Sequence, residues 1–107
     1  MSLTIEDPPG PLAWLQSWYA LQCDGGWEHT YGVKIDTLDN PGWTLQIELH
    51  HTSLQSRSLE RVTVQRDEHD WLHAWTQDET FHAACGPLNL SEAIYTFRRW
   101  AETQPSA

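Results

Sequence analysis

The chain has 107 residues, of which 15 are Asp or Glu and 6 are Lys or Arg, so its formal net charge at pH 7 is −9. A chain of this length is predicted to form one domain over 1–107, with residues 1–10 as a loose lead-in and 104–107 as a frayed tail. The charge argues against binding to nucleic acid or to an anionic membrane, since both require Lys and Arg at phosphates. It favours a basic protein surface as the partner, and the alternative is that the acidity serves only to keep the protein soluble.

The N-terminal segment has no basic region followed by an apolar stretch, so no signal peptide is predicted. No run approaches the roughly 18 apolar residues of a membrane span. We therefore predict a cytoplasmic protein. Its two cysteines, Cys23 and Cys85, are far apart in sequence and are expected to be reduced, buried thiols. No cofactor is predicted.

Residues 11–23 are predicted to form the first helix. Pro11 suits the first turn of a helix, and the apolar residues that follow recur at spacings of three and four. The turn sequence Asp24-Gly25-Gly26 should end it.

The next segment is predicted to be a β-hairpin spanning 27–49. Large and β-branched residues alternate with polar ones on both sides of the corner Asn40-Pro41-Gly42. Pro41 fixes φ at the corner, and Gly42 would permit a positive φ. The inner face of the two strands would carry Trp27, His29, Tyr31, Val33, Ile35 and Thr37, then Trp43, Leu45, Ile47 and Leu49.

The remaining pattern predicts a loop over 52–58, strands over 60–66, 71–77 and 81–85, and a final helix that continues to about Thr103. Asn89 and Glu92 have the spacing of a capping box at the start of that helix. Consecutive strands with short turns favour an antiparallel meander. The predicted fold is therefore α+β, a meander sheet of four or five strands with an N-terminal and a C-terminal helix packed on one face.

No segment carries a motif for catalysis. The chain lacks a GxSxG elbow and a glycine-rich phosphate loop, so it is predicted not to be an enzyme. A metal site would require histidines from different strands to converge, and surface or hydrogen-bonded histidines are the more common case. The histidines that would have to converge are His29, His51, His73 and His82.

Acidic residues adjoin tryptophans on both sides of the predicted hairpin. Aromatic side chains beside carboxylates are typical of protein–protein contacts, although they also suit stacking on sugars or small ligands, and core packing is an alternative for the indoles. The predicted partner-binding residues are Asp24, Trp27, Glu28, Asp36, Asp39 and Trp43. The alternative function is a small-ligand or carbohydrate-binding module that uses Trp stacking.

Residues 23–43, CDGGWEHTYGVKIDTLDNPGW, with WLQSWY at 14–19, resemble the bacterial polymorphic-toxin immunity protein 53 family. The family pattern has an aromatic helix and a Cys-Asp-Gly turn, followed by Trp-Glu-His, Tyr-Gly and Thr-Leu-Asp-Asn-Pro-Gly-Trp. Asp70-Trp71 and the last helix around Phe97 and Trp100 are also similar, whereas 52–68 carries no such motif.

This resemblance implies a cytoplasmic antidote that binds and neutralises a cognate toxin, and it implies no substrate and no catalytic residue. Many such toxins are nucleases, whose active sites are basic in order to hold phosphate. A chain of net charge −9 would suit such a target by occluding it with an acidic, aromatic-containing surface.

Overall fold

A computed structural model of the protein describes residues 10–103, so the predictions for 1–9 and 104–107 lie outside the described residues. The order of elements is helix, short helix, five strands, helix. In chain order they are α1 (Gly10–Gln22), α2 (Trp27–Thr30), β1 (Val33–Leu38), β2 (Gly42–Glu48), β3 (Val62–Asp67), β4 (Asp70–Gln77), β5 (Thr80–Cys85) and α3 (Leu90–Glu102).

All five strands are antiparallel, and their order across the sheet is β1-β2-β5-β4-β3. The α+β class is confirmed. The order departs from a simple meander because the chain after β2 crosses to the far edge, which leaves the central position for β5. Strand β5 is the most completely buried of the five strands, with Phe81, Ala83 and Cys85 each at most 3% exposed.

The core lies between one face of the sheet and the two long helices. Leu45 and Ile47 of β2 lie opposite Ala83 and Phe81 of β5, and this apolar row contacts α3. The Phe97 ring of α3 packs edge-on against Phe81 at 5.0 Å between ring centroids. Trp18 of α1 packs edge-on against the same Phe97 at 5.1 Å, so α1 joins the helix layer through aromatic rings.

The prediction of a strand over 27–37 is wrong for its first part, because Trp27–Thr30 is a helical turn and β1 begins at Val33. Two carboxylates explain this turn. Asp24 Oδ1 accepts hydrogen bonds from the amides of Gly26 and Trp27, each at 2.9 Å. Glu28 accepts from the amides of Asp24 and Gly25. Side chains that satisfy the free N–H groups stabilise a helix start, and this local chemistry overrides the period-two pattern.

The corner at 39–42 also differs from its prediction. The Asn40–Pro41 peptide bond is cis, and Gly42 does not have a positive φ. Gly42 is required for a different reason: a Cβ atom there would lie 2.2 Å from the backbone oxygen of Cys85 on β5. Glycine permits this close approach of two backbones.

Among residues 10–103, no helix is long and apolar enough to cross a membrane.

Candidate partner-binding surface

The two predicted tryptophan anchors make hydrogen bonds within the fold. Trp27 is 5% exposed, and its indole N–H donates to the His50 carbonyl at 2.7 Å. Trp43 is half-buried against the core, and its indole N–H donates to the Pro87 carbonyl at 3.0 Å. Both indoles therefore hold segments of this chain together, and direct contact with a partner stays a prediction for them.

The predicted carboxylates are spread along the length of β1 and do not cluster at one end. Asp24 and Glu28 lie just before the strand, whereas Asp36 lies on it and Asp39 follows it. Five steps of a strand separate Val33 from Leu38, which is about 17 Å. The six residues therefore do not form one patch.

Asp24 and Glu28 are occupied by local hydrogen bonds. The amide of Trp27, followed by that of Gly26, lowers the pKa of Asp24. Backbone hydrogen bonds, foremost from its own amide, likewise lower the pKa of Glu28. Both side chains therefore carry their negative charge while they hold the turn between α1 and α2.

Three connections meet at one end of the sheet, and we call this surface the turn end. They are the corner 39–42, the β3–β4 turn 67–70 and the segment 86–89 that leaves β5. The segment 86–89 lies between the other two because β5 lies between β2 and β4. Gly86 is packed so closely there that a Cβ atom would lie 2.3 Å from the His69 carbonyl oxygen. With the Trp43–Pro87 hydrogen bond, this packing fixes all three connections relative to each other.

A charged network supports the turn end from the side of α3. Arg66 donates to Asp70 Oδ1 at 2.7 Å and to Glu92 Oε2 at 2.5 Å. Asn89, which is 7% exposed, donates to Asp70 Oδ1 at 2.8 Å and to Glu92 Oε1 at 3.1 Å. The predicted capping box is thus altered, because the Asn89 side chain bonds Asp70 and Glu92 and makes no capping bond to α3.

The same network sets the charges of its carboxylates. The Asn89 hydrogen bond, followed by that of Arg66, lowers the pKa of Asp70. Hydrogen bonding to Arg66 lowers the pKa of Glu92, and the two carboxylates together raise the pKa of Arg66. The network therefore stays ionised at neutral pH, and its one cation and two carboxylates leave a net charge of −1.

Other side chains of the turn end are directed to solvent. Leu88 is 94% exposed, and the side chain of Glu68 is 89% exposed. Asp39 and Asp67 are also exposed. A protruding leucine lies between carboxylates on both sides, and the spacing of strands puts the flanking turns about 14 Å apart. Residue patterns did not identify Leu88, because an exposed leucine in a turn has no periodic signal.

The sheet face opposite the helices carries a stack of side chains that no sequence motif indicated. The Trp75 ring stacks on His82 at 5.3 Å between centroids, and the Arg61 guanidinium lies 4.3 Å from the Trp75 centroid. Arg61 precedes β3 and His82 belongs to β5, so they flank Trp75 on its two sides. The alternation of Trp71, His73 and Trp75 with buried Leu72 and Ala74 was the available signal.

Within residues 10–103, no three His, Cys, Asp or Glu side chains are grouped so that they could hold a metal ion. The fold defines a small α+β protein in which a five-stranded antiparallel sheet holds the turn end in a fixed arrangement. The profile of the Immunity protein 53 family matches residues 12–102, and the chain belongs to this family. Membership gives it an immunity function in general and a toxin as its partner in general. No curated protein and no solved structure matches the chain.

Proposed function

We propose that this immunity protein neutralises its cognate toxin by covering a basic surface of the toxin with the turn end. The observation that carries the proposal is the set of exposed carboxylates, Asp39, Asp67 and Glu68, around the protruding Leu88. An apolar core surrounded by a polar rim is the usual anatomy of a protein–protein interface. Fixed connections reduce the ordering cost of binding.

A nuclease domain is the toxin class that suits this surface best. Its active site must attract phosphates, so it carries Lys and Arg. Carboxylates presented by the turn end would occupy the same cations, and the net charge of −9 would accelerate encounter with them. The proposal places this event in the cytoplasm, with no enzymatic activity of the immunity protein and no binding to nucleic acid or membrane.

The residues predicted from sequence have different roles in this proposal. Asp39 contacts the toxin directly, and Trp43 holds Pro87, and thereby Leu88, in position. Asp24, Trp27 and Glu28 lie at the other end of β1, where they would contact a toxin only as a second, separate patch. Asp36 lies between the two ends.

Calorimetric titration into the toxin domain encoded beside this protein tests the proposal, at low and at high salt. Tight binding that weakens steeply with salt supports the acidic surface. Tight binding that salt does not affect would reject it in favour of apolar anchoring. Absence of binding would contradict the proposal that this toxin domain is the partner.

Two pairs of variants locate the surface. In the charge pair, the first triple variant removes the carboxylates of the turn end and should weaken binding: Asp39→Asn, Asp67→Asn, Glu68→Gln. The control triple variant makes the same change in charge elsewhere on the surface and should bind like the wild type: Glu60→Gln, Asp78→Asn, Glu102→Gln. In the apolar pair, Leu88→Ala should weaken binding and Leu21→Ala, at an 83% exposed leucine of α1, should not. Equal losses of affinity in both triple variants would show that binding depends only on total charge. Equal losses in both leucine variants would show that Leu88 does not mark a defined binding surface.

The carbohydrate-binding alternative would use Trp27 and Trp43, of which Trp27 is buried and Trp43 is half-buried against the core, and Trp75 on the open sheet face is obstructed as well. A sugar stacks on a free ring face, and both sides of the Trp75 ring are flanked, by Arg61 and His82. A rise in the unfolding temperature with simple sugars, together with absence of toxin binding, would favour that alternative.

A further inference from the structure

Among the described residues 10–103, no strand pairs with the outer edge of β1, which is an edge strand of the sheet. In an antiparallel pair, alternate residues direct N–H and C=O toward the partner strand. The Glu48 amide donates to the Gly32 carbonyl at 3.1 Å. The backbone groups of Gly32, Lys34 and Asp36 are therefore the ones directed toward β2. Val33, Ile35 and Thr37 consequently direct their N–H and C=O groups away from the sheet.

The side chains along this edge are complementary to themselves. Lys34 and Asp36 lie on the open sheet face, one on each side of Ile35, whose side chain lies on the helix face and is 40% exposed. A two-fold axis at Ile35 would place Lys34 opposite the second copy's Asp36, and Asp36 opposite its Lys34. We infer that β1 pairs antiparallel with β1 of a second copy of this chain, which joins the two sheets into one of ten strands.

The hydrogen-bond pattern fits the same register. An axis at Ile35 pairs it with itself and pairs Val33 with the second copy's Thr37. All of these residues direct backbone groups outward, so each of the three pairs forms two hydrogen bonds. In the single chain the Thr37 amide donates to its neighbour Asp36 at 3.2 Å, and strand pairing replaces this local bond.

Apolar side chains beside the edge become buried in this pairing. Gln16 and Tyr19 of α1 line a cleft with Gly32 and Val33, so this helix face adjoins the start of β1. Leu12 shares the helix face at helical spacing. Leu12 is 54% exposed and Tyr19 38%. They lie on the same side of the sheet as Ile35 and supply the apolar part of the contact.

The other edge of the sheet is protected against strand pairing. The pairing of β3 with β4 shifts register between Gln65 and Asp67, and such a bulge disrupts a regular edge. The pairing of β1 with β2 is continuous from Val33 to Leu38. Lys34 alone would normally discourage pairing at an edge, and here the second copy's Asp36 neutralises it.

This inference does not rest on the proposed toxin contact. Two antiparallel copies of β1 direct their turn ends to opposite ends of the joined sheet, so each copy keeps its toxin-binding surface free. Pairing through β1 therefore predicts two independent toxin sites per dimer.

Light scattering and sedimentation of the full chain test the inference through charge swaps. The wild type should have twice the 12.4 kDa mass of one chain. Lys34→Asp alone, or Asp36→Lys alone, sets like charges opposite each other twice and should weaken dimerisation about tenfold or more. The double swap Lys34→Asp, Asp36→Lys should restore the dimer, and mixing the two single variants should produce a mixed dimer. Glu68→Lys, with the same charge change as Asp36→Lys, is the matched control and should remain dimeric.

Amide hydrogen exchange gives a second readout that does not depend on variants. The Ile35 amide should become protected as the chain concentration rises, whereas the Lys34 amide is protected throughout by β2. A single-chain mass at every concentration would overturn the inference. If both single variants, Lys34→Asp and Asp36→Lys, remain dimeric, the contact lies on another surface, and the inference is overturned as well. A monomer whose Ile35 amide is protected only by the toxin domain would assign this edge to a toxin strand instead.

Discussion

Gly42→Ala tests the close approach between β2 and β5 at the turn end. The added Cβ would lie 2.2 Å from the Cys85 carbonyl oxygen, where 3.4 Å begins ordinary contact. The Cβ would be fixed rigidly to the Gly42 backbone and the oxygen belongs to the Cys85 backbone, at adjoining ends of the neighbouring strands β2 and β5, so neither atom can move alone. One strand must shift by roughly 1 Å, and overpacking of this kind costs about 1–3 kcal/mol.

Alanine also restricts the unfolded chain, which offsets about 0.4–1 kcal/mol of that cost. We therefore expect the free energy of unfolding to fall by about 1–2 kcal/mol. For a protein of this size, urea lowers that free energy by about 1 kcal/mol per molar. The midpoint of unfolding should move down by about 1–2 M urea.

Urea unfolding followed by tryptophan fluorescence measures this shift. Gly32→Ala is the matched control, since a Cβ atom at Gly32 has nothing within 4 Å and its φ is not positive. Its midpoint should stay the same or rise slightly. Equal midpoints for the two variants would refute the close-approach argument and would return Gly42 to a conformational role.

Three further predictions concern other parts of the fold. Trp27→Ala should lower the free energy of unfolding by about 3–5 kcal/mol in the same urea experiment, because a buried indole is lost; an unchanged midpoint would contradict its core position. Asn89 and then Arg66 lower the pKa of Asp70 below its ordinary value of 3.8, and Arg66 lowers the pKa of Glu92 below 4.5, so the stabilisation by Arg66 is present above pH 4.5 and is lost as the pH falls through the lowered pKa values. In unfolding curves from pH 7 to pH 3, Arg66→Gln should therefore show a smaller loss of stability with acid than the wild type, and parallel curves would contradict this. Burial raises the pKa of the Cys85 thiol to about 11, so a thiol reagent should label the native chain at Cys23 first, and early labelling of Cys85 would contradict its burial.

The fold could largely be predicted from periodic patterns, because each pattern reports which face of an element is buried. Leu45 and Ile47 alternate with polar residues in β2, and Leu15 and Trp18 lie on one face of α1. The segment 27–30 could not be predicted in this way. Its alternation is that of a strand, and the carboxylates of Asp24 and Glu28 form a helical turn through bonds that have no period.

Identifying the candidate binding surface required the tertiary structure more than identifying the fold did. The acids Asp24 and Asp39 are near in sequence, and only the extension of β1 shows that they lie at opposite ends of the sheet. Conversely, Asp39 and Leu88 are distant in sequence, and the position of β5 beside β2 brings their connections to one end.

The sequence by itself determined the class of fold, the net charge of −9 and the family resemblance, since these depend on composition and on local order along the chain. The tertiary structure decided which residues are supports and which are exposed. Trp27 and Trp43 look like anchors in the sequence, yet both donate indole hydrogen bonds to backbone carbonyls of distant segments. Burial results from contacts between segments far apart in sequence, and a local pattern carries no information about which segments those are.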